Sequence, residues 1–167
     1  MSEWFARVGL PLTAEEHAAI GDLVRGAIPE ARIAIEALPS WSDAARYLRL
    51  AGHDPDWWDQ EEAEREALWN AAAEQRSEAD LLLCVNAAAI ATGAEIRAAA
   101  RASARAAGVT DLDVAREASD MALLAVHHHA LARLAGAGAD HPFVRKYALF
   151  AGGRWPLGYH SARFAIF

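Results

Sequence analysis

A chain of 167 residues with a single cysteine, Cys84, can bury most of the surface its unfolded form exposes, so one domain spanning 1–167 forms without a disulfide. Its net charge of −7 opposes general binding to nucleic-acid phosphates and suits a basic protein partner. The opening MSEWFARVGLPL lacks a basic leader and a long apolar core, and the uncharged runs 81–94 and 121–132 fall short of the ~18–20 residues a bilayer span requires; the expectation is a soluble, cytoplasmic protein without membrane contact.

The first helix is announced by Thr13 and Glu16, three apart, which form a capping box. Ile20, Leu23, Val24 and Ala27 then recur at helical spacing until Pro29 stops the run. Ile33, Ile35 and Ala37 alternate with Ala34 and Glu36, a period of two that favours a short strand; a short helix is the rival reading. Ser40 caps a second helix with Trp41, Ala44, Ala45 and Leu48 on its inner face and Gly52 at its end. Asp54, Pro55 and Asp56 open a third, running to about Gln75, in which Glu61 and Arg65 are spaced to pair.

A long alanine-rich helix follows, from Ser77 or Glu78 to about Ala107. Leu82, Val85, Ala89, Gly93, Ile96 and Ala100 share one stripe, and the small residues there admit close approach of another helix. Gly108 closes it. Thr110 with Asp113 spells a second capping box for a helix reaching about Leu134, which the glycines 136 and 138 terminate. His141 to Phe150 reads as a last short helix with Pro142 at its start. LGYHSARFAIF then has the alternation of a hairpin, and its final strand can pair with the one near Ile33. The predicted fold is therefore mainly α: a bundle of five or six helices with a small antiparallel sheet from the Ile33 region and the C-terminal tail.

Three adjacent histidines, His127, His128 and His129, raise the question of a site. Successive helix residues diverge by about 100°, so one ion cannot collect all three, and the positions three and four away hold leucine and alanine. The triplet is not a metal motif, and no metal site is predicted. With Leu124 and Leu131 at the centre of the buried face, His127 and His128 flank it and His129 points away. Asp120 and Glu117 also turn inward. Two carboxylates and two imidazoles on an inner face are costly unless paired. They read as hydrogen-bonded groups at the core margin, or as an acid–base or metal-assisted catalytic pocket of His127 or His128 with Asp120 and Glu117.

Two aromatic groups are candidates for partner binding: Trp57 and Trp58 at the start of the third helix, and Arg154, Trp155, Tyr159 and His160 in GGRWPLGYH, where arginine and tryptophan are residue types favoured at binding hot spots. The competing reading docks these aromatics into the core. Arg97, Arg101 and Arg105 form an i, i+4, i+8 ladder that reads as a solvated face. No glycine-rich phosphate loop, HExxH or GxSxG occurs, and the cofactor, if any, is unspecified. The first expectation is a small acidic protein-binding module, of the kind that inhibits or confers immunity to a basic protein. The alternative is an enzyme built on the histidine–carboxylate face.

Overall fold

Residues 3–28, 33–51 and 55–167 are described by the structure, a computed structural model. Among the described residues six helices and three strands follow in the order α1 (Ala14–Ala27), β1 (Ala34–Ala37), α2 (Trp41–Ala51), α3 (Pro55–Ala73), α4 (Glu78–Ala106), α5 (Asp113–Leu134), α6 (Pro142–Ala151), β2 (Pro156–His160) and β3 (Arg163–Ile166). The molecule is mainly α with a small sheet, as its periodicities predict. The expected roles of Pro29, Gly52 and Asp54 at helix ends lie outside the described residues.

The helix starts follow local chemistry with one exception. Thr13 and Glu16 close a full capping box on α1. The Asp43 and Asp80 amides donate to the hydroxyls of Ser40 and Ser77, and the His141 ring accepts from the Phe143 amide ahead of Pro142. At α5 the expected box of Thr110 and Asp113 does not form. Leu112 occupies the cap without a side-chain bond, and the Asp113 amide donates to Asp111. Asp111 reaches that amide two residues on, in the manner of an Asx turn, and displaces the longer-range box.

Strand order is β1–β3–β2, with β3 central. β2 and β3 form the expected antiparallel hairpin, with Tyr159 opposite Phe164. Its turn residues, Ser161 and Ala162, both have positive φ, the twist that a two-residue hairpin requires. The third strand corrects the expectation of a wholly antiparallel sheet: β1 runs parallel to β3, with Ile35 beside Phe164 and Ala37 beside Ile166. A tight turn dictates direction for the hairpin. For strands separated by five helices, direction depends on how the helices return the chain.

The largest core lies between α4, α5 and the aromatic residues of both chain ends. Ile96, Ala100 and Ala104 of α4 meet Ala115, Ala118, Ala122 and Ala125 of α5, where missing side-chain bulk lets the axes approach. Leu81 rather than Leu82 begins the buried stripe of α4, because the stripe drifts around the helix at i+4 steps. Trp4, Phe5, Trp41, Trp155 and Phe167 complete this core, with Trp41 edge-on to Phe167 at 5.3 Å. Residues 3–7 are thus part of the fold. Glu3 and Arg7 donate their amides to the carbonyls of Ala151 and Gly153. Gly153 has φ +95°, and a Cβ there would meet the Glu3 carbonyl at 2.9 Å, so this crossing requires glycine.

Arg154 locks the same segment, which corrects its reading as a partner-binding residue. It is 2% exposed, and all five guanidinium donors are used: on both Glu16 carboxylate oxygens at 2.8 and 2.9 Å, and on the carbonyls of Arg7, Leu10 and Pro11 at 2.6, 2.6 and 2.8 Å. Glu16 answers electrostatically. The guanidinium hydrogen bonds of Arg154 hold its carboxyl at about 2, against the opposing effect of burial.

Candidate functional site

Five elements enclose a cleft of about 410 Å³. Tyr47 and Leu48 come from α2; Trp57, Trp58 and Glu61 from α3; Glu117, Asp120, Met121 and Leu124 from α5; Lys146 from α6; and Leu157, Gly158 and Tyr159 from β2. Helical spacing puts the α5 group there: 117, 120, 121 and 124 step along one face. The aromatic wall is held from behind. Trp57 is buried against Tyr159 and Phe164, with ring centres 6.4 and 5.6 Å away, and the Tyr47 hydroxyl donates to the Gly158 carbonyl at 3.3 Å. Trp58, 39% exposed, stands at the rim.

Three carboxylates and one ammonium line this space. Glu61 was expected to pair with Arg65 one helical turn on. Instead Arg65 binds Glu62 on the solvent side, while Glu61 turns inward and is buried against Lys146, the chain's only lysine. Both members of the Glu61–Lys146 pair are nearly inaccessible, so their charges cancel within the wall. Glu117 and Asp120 remain. Both are exposed, and among the described residues neither has a hydrogen bond or ion pair. The cleft therefore presents two uncompensated negative charges beside the faces of tryptophan and tyrosine. That combination favours a cation: carboxylates supply the charge and aromatic faces supply the quadrupole.

The histidines stand elsewhere. The α5 face that lines the cleft through Leu124 continues toward His127 and His128, but α6 crosses it there. His128 stacks on Phe143 with ring centres 4.1 Å apart and planes 15° apart. His129, expected to point away, stacks on Tyr147 at 4.1 Å and 18°. Phe143 and Tyr147 are four apart on one face of α6, so the two adjacent imidazoles stack one turn apart along that face. His127 is half-buried and does not line the cleft. Burial pushes His128 down to about 4, with the Glu61 carboxylate opposing the change; burial also lowers His127 and His129. The Nδ1 atoms of His128 and His129 are buried without a partner among the described residues. Of the sequence-derived catalytic set, the structure brings Asp120 and Glu117 into the cleft and leaves His127 and His128 outside it.

The partner-binding set divides in the same way. Trp57, Trp58 and Tyr159 line the cleft; Arg154 is the strut described above. Trp155 is fully buried, and its indole N–H donates to the Met121 sulfur at 3.3 Å. His160 is half-buried at the end of β2, outside the cleft. The glycine-flanked segment thus serves mainly to dock the tail, because each ring it carries has apolar area to bury. Tyr47, Met121 and Lys146 were missed. Lys146 had a legible signal: a charged residue on the apolar stripe of Phe143, Leu149 and Phe150 needs a buried counter-charge.

Among the described residues, no group of three or more His, Cys, Asp or Glu side chains is placed to hold a metal ion. Compared with protein-family models, curated proteins and solved structures, the chain gives no match. Fold and site together define a mainly α protein with a mixed three-stranded sheet and an acidic, aromatic-walled cleft.

Proposed function

We propose that this protein is an acidic binding module that engages a basic protein partner by taking a cationic side chain into the cleft. The observation that carries the reading is the placement of Glu117 and Asp120, without counter-charges, beside Trp57, Trp58 and Tyr159. A lysine or arginine head entering there gains two carboxylates and aromatic faces. Shape supports the same reading, since about 410 Å³ suits one long side chain or a ligand of that size. A catalytic use of His127 or His128 with Asp120 lacks that support: neither imidazole lines the cleft, and His128 is committed to Phe143.

Two tryptophans in the wall make the test direct. Titration with a short arginine- and lysine-containing peptide is expected to change tryptophan emission, with affinity falling as salt rises. Replacing Glu117→Gln together with Asp120→Asn should weaken binding by at least ~10-fold, since hydrogen bonds to charged groups contribute about 1.5–3 kcal/mol each. Unaltered affinity in that double variant, or no response to the basic peptide in the parent chain, refutes the reading.

A further inference from the structure

The long helix α4 packs on α5 along one face and leaves the opposite face bare. Leu83 is 69% and Ile90 80% exposed, far more than a packed apolar side chain. Among the described residues, α4 is also the one helix long and apolar enough, by length and composition, to cross a membrane, which shows how little polar cover that face carries. At 100° per residue, Leu83, Ala87, Ile90 and Ala94 fall on a single line with steps of four, three and four, the spacing of a two-helix seam. Toward the C-terminus the same line continues into the exposed Arg101 and Arg105; toward the N-terminus it is flanked by the exposed Asp80. Arg97 does not block it, because its guanidinium folds back along its own helix over Gly93, where a Cβ would meet Nη1 at 3.2 Å.

This face is complementary to itself. We propose that it is a homodimer contact, in which α4 of one copy lies antiparallel against α4 of a second. If residue i faces residue 181 − i, Asp80 meets Arg101, Leu83 meets Ala98, Ala87 meets Ala94, and Ile90 meets Ala91 beside the two-fold axis. Large side chains then oppose small ones, and acid opposes base at both ends. A parallel pairing would set Arg101 against Arg101 and Asp80 against Asp80. A lipid surface offers no counterpart to a face that is acidic at one end and basic at the other about 30 Å away. The contact is separate from the cleft, so it stands or falls independently of the proposed function.

Sedimentation equilibrium of the full chain tests it. The parent chain is expected to form a concentration-dependent dimer. Ile90→Glu should weaken that dimer at least 100-fold with an unchanged melting curve, because the side chain it replaces is exposed. Arg101→Asp and Asp80→Arg should each weaken it by about 10-fold, since symmetry removes two ion pairs at once, and the double exchange should restore it. The Asp80 carboxylate also accepts from the Ser77 hydroxyl that caps α4, so melting of each variant separates helix fraying from lost contact; if Asp80→Arg frays the helix, Ile90→Glu and Arg101→Asp carry the test. A parent chain that stays monomeric, a dimer that survives Ile90→Glu, or a double exchange no better than the single ones overturns the proposal. So does co-sedimentation of a monomer with phosphatidylcholine–phosphatidylserine vesicles.

Discussion

His128 shows what one buried side chain does to the whole molecule. Its neutral ring is packed on Phe143, and burial lowers its pKa from the ordinary 6.5 to about 4. Between those values the unfolded chain binds a proton that the folded one refuses. Stability is thus fully present above about pH 6.5 and is lost as pH falls toward 4, by up to about 3 kcal/mol. His128→Phe keeps the stack and removes the titration, so urea midpoints measured from pH 7.5 to 4.5 should flatten. Glu16 acts next on the acid side. Its pKa of about 2 lies below the ordinary value, so its contribution is present above about pH 5 and is lost as pH falls toward 2. Solvent at the rim holds that contribution to about 1–2 kcal/mol. Arg154→Met strands the Glu16 carboxylate and three carbonyls together, and thermal melting should report a loss of about 3 kcal/mol.

Between elements, the Glu61–Lys146 pair joins α3 to α6 in the wall of the cleft. The two helices meet there through charged groups because both residues sit on inward faces, and each makes the other tolerable. Lys146→Met leaves Glu61 buried without a partner and should destabilise by about 3–5 kcal/mol in chemical unfolding. Adding Glu61→Leu should recover most of that loss, because an apolar pair of similar volume carries no desolvation cost. A double variant as unstable as the single would show that packing, rather than unpaired charge, is what Lys146 supplies. On α4 the balance differs. Its inner face is matched to the alanines of α5, while Leu83 and Ile90 outside gain nothing from the monomer fold.

For the molecule as a whole, the cleft and the α4 face are two surfaces with separate logic. One combines carboxylates with aromatic rings at the junction of α2, α3, α5 and β2; the other is a self-complementary line on a single helix. Ile90→Glu should leave basic-peptide binding unchanged, and Glu117→Gln with Asp120→Asn should leave the oligomeric state unchanged. Crossed effects in fluorescence and sedimentation would show that the two surfaces are coupled through α5, which packs on α4 and also lines the cleft.

Much of this architecture was legible before folding. Capping boxes, proline starts and apolar periodicity act within a few residues, so Thr13, Ser40 and Pro142 announced their helices and the tail announced its hairpin. Rotation about the α5 axis was enough to show that three adjacent histidines diverge. It could not show that α6 crosses at His128, or that Tyr147 waits for His129, because those partners are distant in sequence. The same limit hid the parallel pairing of β1, the inward turn of Glu61 and the burial of Arg154. Local spacing sets which way a side chain leaves its own backbone; which element it meets there depends on how the helices pack.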